Sequence, residues 1–356
     1  MQDRITATLS AVAHTGWGRL ALFILLFITL SVAAPYAIYS ELGGRSFRFD
    51  PRLLSWPVLS TSVLLLAIYF SSDGMRLYHT LKALGQRLPK RHLVRLVFIN
   101  FLFSNITPMA TGGGFAQIWY LRRYGIHLGT ATAATTVRTL LAVALIFTPT
   151  PFLLALLPAL RQSPLIGNAW AYLGLFACAY LGFFAVVVFR IRWILTLIDV
   201  LIGALHRYRL IGHQRLRRWK YRVRREILRF SYGVGDYLKG PKIDILLSVF
   251  HTGVFLTALF SFPAILLWGL GYRIDYLTIV GLLVVATFLM YFSPTPGASG
   301  IAEGVFGLFF SSMVGVGDLV LVIVAWRLLT IYAGMLIGVP VTLYEIARKE
   351  PAADET

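Results

Sequence analysis

The sequence contains few charged residues and almost no cysteine. Only 13% of its 356 residues are charged, and Cys178 is the single cysteine. The chain therefore cannot form an internal disulfide or a cluster of thiolate metal ligands. Hydrophobic residues make up 58%, a share above that of ordinary soluble domains. These proportions predict an all-α fold, a polytopic bundle of helices embedded in a membrane.

Motifs of known catalytic chemistry are missing as well. The 15 acidic residues are scattered and form no D-x-D, D-x-x-D or H-E-x-x-H pair. The sequence also has no G-x-S-x-G elbow and no P-loop. We therefore expect no catalytic residue, no metal site and no cofactor. An enzyme remains an alternative only through acid–base chemistry between one carboxylate and one arginine.

Apolar runs long enough to cross a bilayer recur along the chain. We predict about six full spans, at residues 19–39, 54–71, 129–148, 168–189, 244–270 and 318–343. Two further apolar regions, 92–121 and 277–316, are broken in the middle by proline and glycine. The N-terminal segment shows no cleavage pattern, so we interpret it as a retained first helix rather than a removed signal peptide.

The basic residues predict how the chain is oriented. Its net charge of +18 is concentrated between the apolar spans: segment 190–243 holds fourteen of the 33 Lys and Arg residues, and the loop 72–96 holds six more. The positive-inside rule puts these segments, both termini and the short tail 346–356 in the cytoplasm, for a multi-pass protein of the plasma membrane. The clusters form no folded basic face, so no nucleic-acid partner is expected.

Counting the crossings between these cytoplasmic segments predicts two re-entrant hairpins. Region 92–121 must begin and end inside, and region 277–316 must begin and end outside, so each dips into the membrane from one face. The chain then forms one membrane domain, in which a first half (15–189) and a second half (244–345) flank the basic loop. The alternative is that one broken region crosses fully and that a span near 145–158 is miscounted.

The two breaks resemble each other in sequence. Residues 107–112 read TPMATG and residues 295–300 read TPGASG, with Thr, Pro, Ala and Gly at equal positions. The wider breaks cover 104–114 and 293–304. Similar motifs in regions of opposite orientation are the signature of an inverted repeat, whose broken helices meet near the middle of the membrane around a substrate site.

Each break ends one helix and begins another. Free amides and the dipole at a helix N-terminus attract anions such as phosphate, and nearby hydroxyl and amide side chains add donors. The alternative is that the glycines serve close helix packing and that the hydroxyls bond to their own backbone. The predicted anion-binding residues of the breaks are Asn105, Thr107, Pro108, Thr111, Gly112, Gly113, Thr295, Pro296, Gly297, Ser299 and Gly300.

Three ionisable residues fall at membrane depth, where charges are costly and usually mark a partner or a cavity. Glu303 follows the second break, whereas Arg138 and Arg327 lie within apolar spans. We expect Glu303 to form a salt bridge with Arg138 or Arg327, one that rearranges as the site opens. Alternatively, Glu303 only complements the helix dipole, the arginines hold a phosphate directly, or Arg327 snorkels to the surface.

These motifs resemble a known family. The run N-x-T-P…G-G at 105–113, followed by Leu121-Arg122, and the later P-T-P-G-x-x-G-x-x-E-G at 294–304 are similar to the lysylphosphatidylglycerol synthase transmembrane region, also called the flippase-like domain. The resemblance covers residues 15–345. It implies a helical membrane domain with re-entrant segments that handles an anionic or modified lipid.

In the best-known relatives this domain is fused to a soluble aminoacyl-transferase domain. Only twelve residues follow Tyr344, so we expect a stand-alone member without synthase activity. We expect it to move an anionic, aminoacylated or glycan- or polyprenyl-linked lipid between leaflets, with a phospholipid or glycolipid as its substrate. The predicted headgroup site comprises the break residues together with Arg138, Glu303 and Arg327. A lipid-modifying enzyme is the alternative.

The basic segment 190–243 has interpretations of its own. Aromatic residues stand among its arginines, a composition typical of a helix at the membrane interface. The segment then contacts anionic lipid headgroups, recruits a soluble or membrane-bound biosynthetic partner as a scaffold, or is an ordinary solvated loop. The predicted cytoplasmic lipid contacts are Arg122, Arg123, Arg217, Arg218 and Arg224.

Overall fold

A computed structural model of the chain describes residues 28, 29, 36, 49–161, 170–189 and 232–348. Its main helices, in chain order, are α1 (Trp56–Ala83), α2 (Lys90–Ile106), α3 (Thr111–Arg123), α4 (Leu128–Phe147), α5 (Thr150–Leu156), α6 (Pro158–Arg161), α7 (Trp170–Phe189), α8 (Lys242–Gly269), α9 (Tyr276–Met290), α10 (Ile301–Phe310), α11 (Val316–Arg327) and α12 (Ala333–Ala347). A short helix, Pro51–Leu54, precedes α1, and a π-helical turn, Leu328–Tyr332, joins α11 to α12. The predicted all-α class is confirmed.

Four helical stretches in the described residues are long and apolar enough to cross a membrane. They are Trp56–Ala83, Leu128–Leu156, Lys242–Gly269 and Val316–Ala347. The second joins α4 to α5, and the last joins α11 to α12 through the π-helical turn. Leu64, Leu246 and Leu336 on these helices are 60%, 64% and 74% exposed. Large apolar side chains exposed in this number are expected where the surrounding medium is lipid.

Some sequence predictions fall outside these residues. Most of the predicted span 19–39 is not among them, and neither are Arg217, Arg218 and Arg224 of the basic segment. The membrane-surface role of those three arginines stays a prediction.

The first of the four stretches is longer than the sequence predicted. We expected a span at 54–71 followed by a loop 72–96, but α1 continues without interruption to Ala83. Asp73 and Arg76 therefore lie within a helix, where they are 1% and 6% exposed. Their spacing of three residues brings the two side chains onto one face of the helix, where they form an ion pair. The prediction of a loop here was wrong.

The first broken region folds into a helical hairpin. Gly113, in the first turn of α3, lies so close to α2 that an added Cβ would come within 1.8 Å of Ser104 Oγ. Near the other end of the pair, His92 Nδ1 lies 3.2 Å from Tyr120 Oη. The two helices thus run antiparallel, and the residues that open and close the region lie side by side at the base of the hairpin.

The second broken region has the same form. Tyr272, just before α9, donates a hydrogen bond from Oη to Asp318 Oδ2 at 2.8 Å. The same oxygen accepts a bond from the amide of Gly315, which follows α10, at 3.0 Å. The chain therefore returns to its starting level after passing through α9, the break and α10.

The bases of the two hairpins lie at opposite ends of the molecule. The α11–α12 stretch begins at the base of the second hairpin, where Asp318 bonds to Tyr272. It finishes at the base of the first, where Glu345 accepts bonds at 2.7 Å from Arg95 Nη1 and Tyr124 Oη. We refer to these as the Asp318 end and the Glu345 end. The hairpins point toward each other from the two ends.

Candidate functional site

The tips of the two hairpins meet inside the bundle. Pro108 and Pro296 form an antiparallel bridge, and these are equivalent positions in the two TP-x-A-x-G motifs. The backbone conformations also correspond. Met109 and Ala110 have φ of 53° and 53°, and the equivalent Gly297 and Ala298 have φ of 57° and 52°. The similarity recognised in the sequence is therefore a similarity of structure.

The same hydrogen bond closes both turns. The amide of Thr111 donates to the carbonyl of Pro108 at 3.2 Å, and the equivalent amide of Ser299 donates to the carbonyl of Pro296 at 3.0 Å. Alanine and methionine seldom adopt positive φ, because their Cβ approaches the backbone carbonyl. Strain of this kind persists where the surrounding structure enforces it, and such residues concentrate at functional sites.

The polar side chains of the first break are directed at their own backbone. Asn105 Nδ2 donates to the carbonyl of Phe101 at 2.8 Å, and Thr107 Oγ1 donates to that of Phe103 at 2.6 Å. Thr111 Oγ1 donates to the Pro108 carbonyl at 3.0 Å. The two hydroxyl protons and one amide proton of Asn105 are thus bonded to nearby backbone carbonyls. This is the local bonding that the sequence left open as an alternative.

The glycines of the first break serve close packing. A Cβ on Gly112 would lie 2.5 Å from the methyl group of Thr107, and Gly113 packs against Ser104. The amide of Gly112 also donates to Thr107 Oγ1 at 2.8 Å. The first free amide of α3 is therefore satisfied by a side chain of the break itself.

In the second break, the hydrogen bond to the amide is accepted by a glutamate, which is part of an ion pair, and not by a threonine hydroxyl as in the first break. Glu303 Oε2 accepts a hydrogen bond from the amide of Gly300 at 2.7 Å, and Glu303 Oε1 lies 2.7 Å from Arg327 Nε. Arg327 Nη2 donates to the carbonyl of Gly297 at 2.9 Å and to Ser299 Oγ at 3.0 Å. Of the two predicted partners for Glu303, the structure selects Arg327.

Arg327 does not snorkel, because it is only 2% exposed. Thr295 Oγ1 donates to the carbonyl of Ser299 at 2.8 Å, so this predicted donor also serves its own turn. In the second break, the carbonyls of Ser299 and Gly297 thus accept hydrogen bonds from Thr295 and Arg327. Through Arg327, the second tip is bonded to α11.

Arg138 forms a different cluster, which the sequence did not predict. Its Nη2 donates to both carboxylate oxygens of Asp73, at 2.5 and 2.7 Å. Arg76 shares the same carboxylate, with Nε at 2.9 Å and Nη2 at 2.5 Å from Asp73 Oδ1. The Arg76 guanidinium also stacks 3.9 Å above the centre of the Phe255 ring. One carboxylate therefore serves two buried arginines.

Sequence reasoning missed Asp73 and Arg76 because both were assigned to a loop. The signal that could have found them is the apolar pattern beyond them. Leu77 and Leu81 continue the buried face of α1 past the charged residues. An oppositely charged pair three residues apart within such a pattern indicates a helix with an internal ion pair.

Both breaks and both clusters border one cavity of about 400 Å³. Asn105, Met109 and Ala110 contribute from the first tip, and Thr295, Gly297 and Ala298 from the second. Arg76, Arg138 and Arg327 line it as well, with Gln117 and Trp326. The other residues that the sequence predicted do not belong to this lining: Thr107, Pro108, Thr111, Gly112, Gly113, Pro296, Ser299, Gly300 and Glu303.

The cavity lies about midway along the bundle. Arg138 is ten residues beyond the start of α4, which follows the Glu345 end, and Arg327 is eleven residues beyond the start of α11 at the Asp318 end. At 1.5 Å per residue, each arginine is about 15 Å from its end of the molecule. The hydrocarbon layer of a bilayer is about 30 Å thick, so this distance corresponds to about half the thickness of that layer.

The remaining predicted lipid contacts, Arg122 and Arg123, lie near the Glu345 end. Arg123 Nη2 donates to the carbonyl of Arg348, and its guanidinium stands 5.7 Å from the centre of the Trp119 ring. Arg122 is exposed. Their position on α3, next to the base of the first hairpin, is compatible with the surface of a membrane.

Comparison with known proteins identifies the family of this chain. Residues 16–338 match the family described as the lysylphosphatidylglycerol synthase TM region. A UPF0104 membrane protein of Archaeoglobus fulgidus is 22% identical over 298 residues, which cover 83% of this chain and 89% of that relative. The family match includes both hairpins and every residue of the cavity lining. The chain therefore belongs to the lysylphosphatidylglycerol synthase transmembrane-region family, a family of membrane domains related to lipid handling.

Proposed function

We propose that this protein is a lipid translocator, which carries an anionic lipid headgroup between leaflets through the cavity at the hairpin tips. The observation that carries the proposal is the cavity itself, where two opposed hairpins meet beside buried arginines about midway along the bundle. Buried charges in a membrane usually mark a substrate pathway. The acyl chains remain in the surrounding lipid while the headgroup occupies the cavity.

The two hairpins are re-entrant in this proposal, and the Glu345 end faces the cytoplasm. Support comes from the basic residues at that end, which include Lys82, Arg95 and Arg123. The Asp318 end carries the balanced pair Asp50 and Arg52, 2.6 Å apart. The excess of Lys and Arg at one end is the arrangement that the positive-inside rule requires of a plasma-membrane protein.

Movement requires the site to be exposed to each side in turn. Two broken repeats that touch at their tips offer a natural gate, because either hairpin can shift while the other closes the path. The Glu303–Arg327 pair holds the second tip to α11, and its rearrangement releases that tip. The chain carries no P-loop, so we propose that movement is downhill or coupled to an ion gradient.

The test is a leaflet-accessibility assay. The purified chain is reconstituted into vesicles that contain fluorescent phosphatidylglycerol, and the labelled lipid in the outer leaflet is quenched chemically. We expect wild-type protein to expose inner-leaflet label faster than protein-free vesicles do, and the Glu303→Gln and Arg138→Ala variants to slow this. Arg52→Gln, which alters an exposed arginine of a surface ion pair, is the matched control and should behave as wild type.

If wild-type and both cavity variants move lipid at the protein-free rate, the translocation proposal is wrong. Mass spectrometry of the same vesicles separates the enzymatic alternative, because a lipid-modifying enzyme changes the mass of its substrate when a soluble co-substrate is supplied. A scaffold instead co-purifies with a biosynthetic partner that is lost when 207–229 is deleted. In both cases the accessibility of labelled lipid stays at background.

A further inference from the structure

One polar face of α1 extends from the Glu345 end to the cavity. Asp73, Arg76, His79 and Lys82 follow one another at intervals of three residues, which places them along one side of the helix. The side chain of Lys82 is 32% exposed near the end of α1, whereas Arg76 borders the cavity. Histidine is the residue type among these four that ordinarily titrates between about pH 5 and pH 8. His79 therefore lies between solvent and cavity as the member of this face that can gain a proton.

Asp244 of α8 provides His79 with a counter-charge. His79 Nδ1 lies 2.8 Å from Asp244 Oδ1, and Lys82 Nζ lies 3.1 Å from the same oxygen. Both His79 and Asp244 are buried. Because an ionised carboxylate only accepts hydrogen bonds, His79 Nδ1 carries the hydrogen, and Nε2 is the nitrogen that can take up a further proton. The imidazolium formed in this way remains paired with Asp244.

A second histidine, on α8, limits the site to one proton. The ring of His251 is nearly parallel to that of His79, at an angle of 5°, and the ring centres are 5.6 Å apart. His251 Nδ1 is buried and has no hydrogen-bond partner among the described residues. Two imidazolium ions stacked in this way would repel each other, so the two rings together hold one positive charge at most.

The other titratable and charged groups near the two histidines, within the described part of the chain, are neutral, exposed or already paired. Tyr78 and Tyr237 are neutral phenols, and Tyr237 Oη lies 2.6 Å from Ser248 Oγ. Groups of neighbouring elements complete the list: Asp73, shared by Arg76 and Arg138; the exposed Asp236, Lys239 and Lys242; and His92 and Arg95, which contact Tyr120 and Glu345. Asp244 is therefore the carboxylate that balances a proton on His79, and it already serves Lys82.

We propose that His79 is a proton-binding site, which takes up one proton from the Glu345 end when the cavity holds an anion. The inference rests on the proposed function and names the ion to which lipid binding is coupled. His79 stands one turn from Arg76, which borders the cavity, so a charge on its ring raises the positive potential there. Linkage is reciprocal: the proton strengthens anion binding, and the anion strengthens proton binding by the same factor. The proton passes from water at the Glu345 end to His79 Nε2, and it returns to that water when the anion leaves.

Calorimetric titration of the wild-type protein tests the coupling. Purified protein in detergent is titrated with short-chain phosphatidylglycerol at about pH 5.5 and about pH 7.5, on either side of the usual histidine titration. We expect binding to be about tenfold tighter at the lower pH. Titrations in two buffers that differ in heat of ionisation should show net proton uptake. Short-chain phosphatidylcholine, which has no net charge, should show neither effect.

Phosphatidylglycerol binding that is equal at the two pH values, or that takes up no proton, overturns the proposal. The same pH dependence and proton uptake with phosphatidylcholine also overturn it, because the coupling then does not depend on the charge of the ligand. Absence of phosphatidylglycerol binding at both pH values overturns this proposal and the proposed function together.

Variants of His79 separate its charge from its structural role. His79→Gln removes the proton site and should bind phosphatidylglycerol weakly at both pH values, without proton uptake. His79→Lys places a fixed positive charge beside Asp244 and should bind tightly at both. His127→Gln, which alters an exposed histidine just before α4, is the matched control and should keep the wild-type pH dependence. A pH dependence that persists in His79→Gln places the proton on another group and overturns the proposal.

If His79→Gln does not fold, His79→Lys and the wild-type proton uptake decide the question, because a His79→Lys variant with the wild-type pH dependence contradicts the proposal. Accessibility assays on the same preparations, reconstituted into vesicles, separate the proton site from the proposed function. Proton-linked binding without lipid movement refutes translocation but keeps the proton site. Lipid movement with a rate and a binding affinity that ignore pH refutes the proton site but keeps translocation.

Discussion

The break between α2 and α3 and the break between α9 and α10 share one backbone turn, but different chemistry stabilises it in each. In the first, the hydroxyl of Thr107 accepts the bond from the Gly112 amide. In the second, the carboxylate of Glu303 accepts the bond from the equivalent Gly300 amide, and Arg327 neutralises that carboxylate. The motif is conserved between the halves, while the group that satisfies its amide is not.

This difference between the two caps shows that a charged cap inside the bundle requires a charged partner. A threonine cap is neutral and needs no further partner, so the first tip carries no ion pair among the described residues. A glutamate cap requires a buried cation, which binds the second tip to α11. The first tip is therefore held by local bonds, and the second is held by contacts that reach another helix. Changes to the two caps should consequently differ in size.

Loss of the second cap's charge should have the largest effect. Glu303→Gln keeps an acceptor for the Gly300 amide but leaves Arg327 buried without a counter-charge. Removing one partner of a buried ion pair destabilises proteins by about 3–5 kcal/mol, and we expect a loss of this size in the free energy of unfolding, measured by chemical denaturation in detergent. Asp50→Asn, in an exposed pair, is the control. A Glu303→Gln variant as stable as this control contradicts the ionic role of the second cap.

Loss of the neutral cap should cost less. Thr107→Val preserves the shape of the side chain but removes the acceptor for the Gly112 amide and the donor to the Phe103 carbonyl. A fully buried amide left unsatisfied costs about 1–3 kcal/mol, and the Gly112 amide is only partly buried. We therefore expect a smaller destabilisation than for Glu303→Gln in the same denaturation experiment. If Thr107→Val proves the more damaging of the two, the comparison between neutral and ionic caps is wrong.

The smallest effect should come from the backbone that the breaks share. Ala110 and Ala298 have the same positive φ, which costs an alanine about 1–2 kcal/mol. Glycine avoids this cost but loses about 0.5–1 kcal/mol of backbone entropy on folding. Ala110→Gly and Ala298→Gly should each raise the free energy of unfolding by less than about 1 kcal/mol. Effects of opposite sign at the two sites would show that the turns are not equivalent.

Much of this architecture follows from the sequence, for reasons that are local. The breaks could be located because proline and glycine interrupt apolar runs, and they could be paired because TPMATG and TPGASG align. Glu303, Arg138 and Arg327 were recognisable as charges within apolar segments. Each of these signals is contained in about a dozen neighbouring residues.

What could not be predicted depends on contacts between distant parts of the chain. Arg138 pairs with Asp73, which is 65 residues away in the sequence. The residues around each of the two do not indicate which partner it has. In the sequence, Asp73 and Arg76 resemble the start of a loop, because their partners lie on other helices. The hydroxyls of Thr107 and Thr111 can bond either to a ligand or to the nearby backbone. Which of the two they do depends on the conformation of the turn, which the sequence does not give.

The contact between Pro108 and Pro296 offers the most direct test of the central claim, that the tips of the two hairpins must part for lipid to pass. Residues opposite each other in an antiparallel bridge lie about 4.5–5.5 Å apart at Cβ, close enough to be joined by a disulfide after small adjustment. Pro108→Cys and Pro296→Cys are combined in a Cys178→Ser background, and labelled phosphatidylglycerol is followed in vesicles. We predict that the oxidised protein stops lipid movement and that reduction restores it, while each single cysteine variant is insensitive to oxidation. A cross-linked protein that moves lipid as fast as its reduced form would contradict the account.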